Sequence, residues 1–174
     1  DADADGRMMT AADAYGNLCH IFYADRPVDA LTLHVTGTVI TSDTAGVMGG
    51  TDERLVPLLF RRSTELTAIT PTLASFAESF RRTDSIDTLH ELMLGLNAHM
   101  QFEPGITNVV TDADTAFRLG RGVCQDISQI FIATARHLGF PARYVSGHYA
   151  APDHPEQEAA HAWAEVHVPA LGWV

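Results

Sequence analysis

The chain has 174 residues, enough to bury a hydrophobic core as one domain or as one domain with a smaller companion. Eleven arginines, no lysine and 22 acidic residues give a formal charge of -11, which argues against a nucleic acid partner. No apolar run reaches the roughly 18 residues of a membrane-spanning helix, and Cys19 and Cys124 cannot build a disulfide framework, so we expect no membrane partner and a cytoplasmic location.

The pattern of residues 1–50 predicts a β-rich region. Strands are indicated at Asn17 to Tyr23 and along Leu31 to Val39, where apolar residues alternate with polar ones. The segment Asp13-Ala-Tyr-Gly-Asn17 has the composition of a turn. Gly46 to Gly50 has the small and polar content of a connector, so we place a domain boundary near residue 50, with a second domain over residues 51–174.

Beyond the connector the apolar period becomes that of a helix. Helices are predicted over Thr72 to Phe80, Ser85 to Met100, Asp114 to Leu119 and Val123 to Leu138. Asp84 or Ser85 can cap the second of these helices. Its expected apolar face consists of Leu89, Leu92, Met93, Leu96 and Met100. The last helix is expected to end at Gly139, ahead of Pro141.

Two strands are predicted to follow, over Ala142 to Tyr149 and Ala160 to Val168. The second strand alternates strictly, which separates its residues into two faces. One face consists of His161, Trp163, Glu165 and His167, and the other consists of Ala162, Ala164, Val166 and Val168. Together with the helices, these strands predict an α+β domain.

Cys124 stands at the predicted start of a helix, where free backbone amides and the helix dipole stabilise a thiolate. Gly120 and Gly122 leave the sulfur accessible, and Arg121 adds positive charge nearby. A thiol nucleophile also needs a base, and an imidazole within hydrogen-bond reach can supply one. We choose His161, because it begins a strand that can lie against the helix.

Each of these residues has a simpler interpretation. Cys124 can be a buried core cysteine, as we expect Cys19 to be. Asp126 can orient a catalytic imidazole or only complement the helix dipole. Tyr144 and Trp163 are either core aromatics or walls of a substrate cleft. A zinc site is a further alternative, formed from the residues His148, His154, His161, His167, Cys124 and Asp126, although their spacing matches no tight ligand pair and we expect no metal or other cofactor.

Three segments in this order resemble the bacterial transglutaminase-like superfamily. They are Gly120-Arg-Gly-Val-Cys-Gln-Asp126, Gly139-Phe-Pro-Ala-Arg-Tyr-Val-Ser-Gly147 and His161-Ala-Trp-Ala-Glu-Val166. The family's patterns at these places are GxCxD, GxPARYVSG and HAWxEV. The resemblance covers the chain from about Thr51 onward, and Asp13 to Thr41 is similar to the β-rich N-terminal region that accompanies such domains.

The resemblance implies a papain-like core, in which the helix carrying the cysteine packs on an antiparallel sheet behind a partial β-rich N-terminal domain. It implies Cys124 as nucleophile and His161 as base in acyl transfer from a protein or peptide amide, either to water (peptidase or amidase) or to an amine (transglutaminase). The family's third catalytic residue is usually an Asp in a GWxxxDP segment. This chain ends at Gly172-Trp-Val174, so we expect a truncated core that is inactive or that uses Asp126 instead. A non-catalytic interaction module that keeps the fold is the remaining alternative.

Overall fold

A computed structural model describes residues 3–49, 53–149 and 160–174. The chain divides into two compact units, and each is described by itself below. The first unit is formed by Asp1–Gly46 and Gly50–Val56, and the second by Val47–Gly49 and Pro57–Val174.

A β-hairpin forms the first unit's regular structure. Strands β1 (Gly6–Ala12) and β2 (Leu18–Ala24) pair antiparallel, so the predicted strand at residues 17–23 is confirmed within one residue. The predicted turn is also present. Asp13 accepts hydrogen bonds from the backbone amides of Tyr15 and Asn17, and Gly16 adopts a φ of 88°, which favours glycine.

The strand predicted along Leu31 to Val39 is wrong. The structure has no strand there, only an isolated bridge at Leu33. Val35 and Val39 are 95% and 85% exposed, so the apolar residues of the alternating pattern do not form a buried face. A strand is stable only when its backbone groups pair with a neighbour, and an alternating pattern does not say whether a neighbour exists.

The second unit contains all the helices that the structure describes. They are α1 (Pro71–Glu78), α2 (Ser85–His99), α3 (Ala113–Leu119) and α4 (Cys124–His137), preceded by short 3-10 turns at Pro57–Arg61 and Glu65–Thr67. The predicted cap of α2 is confirmed, because Asp84 accepts hydrogen bonds from the amides of Ile86 and Asp87. Met93 departs from the prediction: it is 51% exposed, whereas Leu92 and Leu96 are buried.

Two sheets accompany these helices. Strands β3 (Gln101–Phe102) and β4 (Arg121–Gly122) pair parallel just ahead of α4. Strands β5 (Ala142–Gly147), β6 (His161–Val168) and β7 (Gly172–Trp173) form an antiparallel sheet in the order β5-β6-β7. Gly139 ends the turn after α4 with a φ of 101°, as its predicted role as a cap requires.

Helix α4 is the centre of the core. Its residues Ile132 and Ala135 pack in one core cluster with Ala142 of β5 and Val166 of β6. On another side of the helix, Ile130 and Ala133 pack in a second cluster with residues of α1, α2 and α3. The α4-facing side of β6 therefore consists of the even-numbered residues, and His161 belongs to the opposite side of the strand. This arrangement confirms the predicted α+β architecture with the cysteine-bearing helix packed on an antiparallel sheet. None of the helices within the described residues is long and apolar enough to cross a membrane.

Candidate active site

Cys124 is the first residue of α4, and its thiol is free and half-buried. The chain reaches it from α3 through Gly120, whose φ of 65° is the left-handed conformation that ends that helix. The preceding residue, Val123, has no side-chain oxygen that could cap the helix. The first backbone amides of a helix have no partner inside it, so they remain available beside the sulfur.

Asp126 is buried, with 1% of its surface exposed, one turn into the same helix. Its Oδ2 accepts hydrogen bonds from the Val123 amide and from the Thr107 hydroxyl, both at 2.7 Å. A Cβ at Gly122 would lie 2.6 Å from that oxygen, so only glycine allows the carboxylate this close to the backbone. Asp126 therefore fixes the path of the chain on both sides of Cys124.

The loop ahead of α3 is attached to the start of α4 by this bond and by one more. Gln125 donates from Nε2 to the backbone oxygen of Asn108 at 3.4 Å. Beyond that contact, Val109 and Val110 are about three-quarters exposed, at 75% and 74%. The loop thus presents an apolar rim beside the first turn of α4.

Tyr144 belongs to β5, the strand that follows α4 and packs on it. It occupies the same side of β5 as the buried Ala142, which packs against α4. Burial raises the pKa of its phenol, and the ionised forms of Cys124 and Asp126 raise it further. The ring is 38% exposed, and its hydroxyl makes no hydrogen bond among the described residues. Tyr144 is thus a half-exposed aromatic residue on the α4-facing side of the sheet.

His161 is the first residue of β6 and pairs with Gly147 of β5. Its ring contacts Trp163 edge-on at a centroid distance of 4.7 Å and Tyr149 at 5.7 Å. Trp163 is 37% exposed and covers Gly147, so it borders open space rather than the core. No hydrogen bond joins His161 to Cys124 or to Asp126 in the part of the chain that the structure describes.

Two of the predicted residues have partners of their own. Asp126 hydrogen-bonds through Oδ2 to the start of its own helix and to Thr107, while its buried Oδ1 has no hydrogen-bond partner among the described residues. Arg121 does not stand as a free charge beside the sulfur, because it pairs with Glu103 at 3.1 Å. Among the described residues no three His, Cys, Asp or Glu side chains are grouped to hold a metal ion, and His154 of the zinc alternative lies outside those residues.

Two features of the site were missed in the sequence. Thr107 gave no signal, since its partner Asp126 is 19 residues away in the chain. The second feature is an ion pair between Arg143 and Glu165, whose Nε and Oε2 atoms are 2.7 Å apart. Glu165 belongs to the same face of β6 as His161, and the pairing of charges across two predicted neighbouring strands could have been found from register alone.

The geometry can be compared with known proteins. The family model described as the transglutaminase-like superfamily matches residues 74–174, which include every residue of the site described above. An uncharacterized protein from Mycobacterium tuberculosis is 28% identical over 182 residues, covering 92% of this chain and 58% of the relative. An uncharacterized protein from Mycobacterium leprae is 33% identical over 75 residues, covering 38% of this chain and 25% of the relative. The chain therefore spans a little over half the length of its longer-matching mycobacterial relatives.

Two crystal structures share the fold. One is a candidate cysteine protease from Cytophaga hutchinsonii, with a TM-score of 0.57 and 22% identity, covering 67% of this chain and 39% of that one. The other is the periplasmic domain of TgpA from Pseudomonas aeruginosa, with a TM-score of 0.53 and 22% identity, covering 68% of this chain and 44% of that one. At 22% identity these two comparisons show that the fold is similar.

Proposed function

Because the chain belongs to the transglutaminase-like superfamily, we propose that it is a cysteine hydrolase that cleaves amide bonds through a thioester, with Cys124 as nucleophile and His161 as base. The observation that carries the proposal is the position of Cys124 as the first residue of α4. There a free, half-buried thiol is next to unpaired amides in a segment that matches the family's cysteine motif. The whole protein's substrate and activity are part of this proposal.

The proposed reaction has two steps. The Cys124 thiolate attacks the carbonyl carbon of the amide, and the carbonyl electron pair moves to the oxygen. When the oxyanion collapses, the C–N bond breaks and the amine departs with the proton that His161 took from the thiol. Water then attacks the thioester with His161 as base, which releases the carboxylic acid and restores the thiol.

A productive pair requires the His161 ring to reach past the end of β6 toward Cys124. His161 pairs with Gly147 at the end of the sheet, on the side of β6 opposite the residues that pack on α4, so its ring has to turn around the end of the strand. Catalytic hydrogen bonds often tighten only when substrate is present. The absence of a direct bond between Cys124 and His161 in the described residues is therefore compatible with the proposal, and it makes the pair the first thing to test.

The test compares the chain's own two thiols, which are both free and half-buried. At about pH 6 an ordinary thiol is almost fully protonated, so we expect iodoacetamide to alkylate Cys124 at least about 10-fold faster than Cys19. His161→Ala should remove most of that difference, and His148→Ala, which removes an exposed imidazole nearby, should not. Equal and slow labelling of both thiols would reject the enzyme and favour a non-catalytic interaction module.

Hydrolysis and transfer differ only in what attacks the thioester. Water is always present, whereas transfer needs a cleft that holds an amine and excludes water. We therefore propose hydrolysis of a protein or peptide amide, in a cytoplasmic setting where both thiols stay reduced. Incubation with a glutamine peptide and a labelled primary amine decides between them, since incorporation of the amine without release of acid would reject hydrolysis.

A further inference from the structure

A peptide that reacts at Cys124 must pass over the start of α4, so the exposed side chains around that point are the candidates for contacting it. Two segments of the second unit are attached there by hydrogen bonds. Gln125 donates to the backbone oxygen of Asn108 at 3.4 Å, and the Glu103 amide donates to the backbone oxygen of Gly122 at 2.9 Å. Both segments are thus in direct contact with chain neighbours of Cys124.

The segment that contains Asn108 forms a turn that is fixed by its own hydrogen bonds. Asn108 Oδ1 accepts from the Val110 amide, Thr111 Oγ1 accepts from the Asn108 amide, and the Thr111 amide donates to the Asn108 carbonyl, all at 3.0 Å. The two valines of the apolar rim, Val109 and Val110, belong to this turn and are 75% and 74% exposed. Because the backbone of the turn is held, the rim has a fixed position beside the helix start.

Phe102 adds a third exposed apolar side chain. It pairs in register with Gly122 across the parallel strands β3 and β4, and 62% of its surface is exposed. Paired strands are about 4.8 Å apart and consecutive Cα atoms about 3.8 Å apart, so the Cα atoms of Phe102 and Cys124 are within about 13 Å of each other. The path through Gln125 and Asn108 puts the Cα of Val109 within about 15 Å of that of Cys124. An extended peptide covers this distance in about four residues.

The chemistry of this surface suits an uncharged ligand. Residues 105–111 read Gly-Ile-Thr-Asn-Val-Val-Thr and carry no charge, in a chain with 22 acidic residues and 11 arginines. The charged neighbours Glu103 and Arg121 are paired with each other at 3.1 Å. Covering exposed apolar side chains with another apolar group is favourable, whereas a charged group would lose hydration in the same place.

We propose that the apolar rim and Phe102 bind an apolar side chain of the peptide substrate, within about four residues of the amide bond that Cys124 attacks. The inference rests on the proposed function and names the class of substrate for that site, a peptide with an apolar residue near the cleaved bond. A peptide with serine at the same position would leave these side chains exposed to water, so it should react more slowly.

Two series of peptide reagents test the proposal in a Cys19→Ser background. Acetylated tetrapeptide chloromethyl ketones place the peptide on the acyl side of the sulfur, and chloroacetyl tetrapeptide amides place it on the amine side. In both, the Cys124 thiolate displaces chloride from a methylene carbon and forms a thioether. Each peptide is alanine except at one position, which is leucine or serine and is moved along the peptide. Chloroacetamide, which has the reactive group without a peptide, is the reference for the thiol itself.

We expect the leucine peptide to react about 5- to 10-fold faster than the serine peptide at one position of one series. Val109→Thr combined with Val110→Thr keeps the backbone bonds of the turn, and Phe102→Thr suits a strand, so each should reduce the preference to about 2-fold. Leu94→Gln, at a 59% exposed position on α2, should keep the preference. Reaction with chloroacetamide should stay within about 2-fold of the parent in every variant, because the thiol is unchanged.

Several results would overturn the inference. Equal rates for leucine and serine peptides at every position would mean that no apolar side chain is recognised beside Cys124. A preference that persists in both variants would place its binding elsewhere, and if those variants also lost self-association in light scattering, a second copy of the chain would be the partner of the rim. A parent in which Cys124 reacts with neither the peptides nor chloroacetamide would reject the proposed function itself, and that result is distinguishable because it does not depend on the rim.

Discussion

Thr107 donates a hydrogen bond to Asp126 at 2.7 Å, and this bond, with the one from Gln125 to Asn108, joins the loop ahead of α3 to the helix that begins with Cys124. The Asp126 carboxylate is almost wholly buried, and it also holds the Val123 amide. The loop and Cys124 are thus held in place relative to each other partly through one carboxylate. The consequence is that mutations around Asp126 should affect both stability and the geometry at Cys124.

Thr107→Val removes the donor while keeping the shape of the side chain. We expect it to lower the free energy of unfolding by about 1–2 kcal/mol, because a buried carboxylate oxygen loses a partner. Both tryptophans of the chain lie in the second unit, so their fluorescence during urea unfolding reports on it. Thr83→Val, at an exposed threonine, is the control, and an equal effect of the two variants would contradict the prediction.

Gly122→Ala tests the close approach of Asp126 to the backbone. The added Cβ would meet Oδ2 at 2.6 Å and the Asp126 side-chain carbons at under 3 Å. Because the carboxylate is held in place, we expect a loss of about 1–3 kcal/mol in the free energy of unfolding. Gly49→Ala, where the Cβ would meet nothing within 4 Å, should be nearly neutral. A neutral Gly122→Ala would show that Asp126 can move freely.

An ion pair between Arg143 of β5 and Glu165 of β6 joins the two strands next to the Trp173 ring. The two side chains are 20% and 16% exposed, and the guanidinium lies 4.0 Å from the Trp173 ring centroid. Glu165→Gln removes the negative charge from this pair, and we expect a loss of about 2 kcal/mol in the free energy of unfolding, below the range for fully buried pairs. Glu103→Gln, which breaks the more exposed pair with Arg121, should cost less than about 0.5 kcal/mol. Comparable losses in the two variants would contradict this ranking.

The ionisation of Glu78 is expected to make the free energy of unfolding depend on pH in the acid range. Its hydrogen bonds and charge attraction with Arg81, aided by His137, lower the pKa of the carboxyl from 4.5 to about 2. A carboxyl whose folded-state pKa is lowered stabilises the fold fully above its unfolded value and loses that contribution as pH falls through the folded value. The contribution of Glu78 is therefore present above about pH 4.5 and disappears toward pH 2.

The measurement is denaturant unfolding of the parent and of Glu78→Gln between neutral pH and pH 2. We expect the variant to be less stable at neutral pH and the two curves to converge as the carboxyl becomes protonated. Glu65→Gln, at an exposed carboxyl without a described hydrogen bond, should follow the parent throughout. Curves for Glu78→Gln and the parent that stay a constant distance apart would show that the pKa is not lowered.

The sequence allowed much of the local structure to be predicted. The capped helix from Ser85, the turn at Asp13 to Asn17 and the glycine after α4 were all predicted correctly, because each depends on side chains and backbone within a few residues. Cys124 at the start of a helix was predicted for the same reason. The residues 31–39 were not, because a strand depends on a partner elsewhere in the chain.

The sequence by itself determined which chemical groups are present and which element carries each of them: a thiol at the start of a helix and an imidazole on a strand. It also contained the three motifs that resemble the transglutaminase-like superfamily. Only the tertiary structure decided which groups meet. Packing of α4 on β5 and β6 puts Tyr144 on the α4-facing side of the sheet, and the fold buries Asp126 against Thr107. Those contacts join residues far apart in the chain, and their strength comes from burial and exact distances, which a pattern of residue types does not contain.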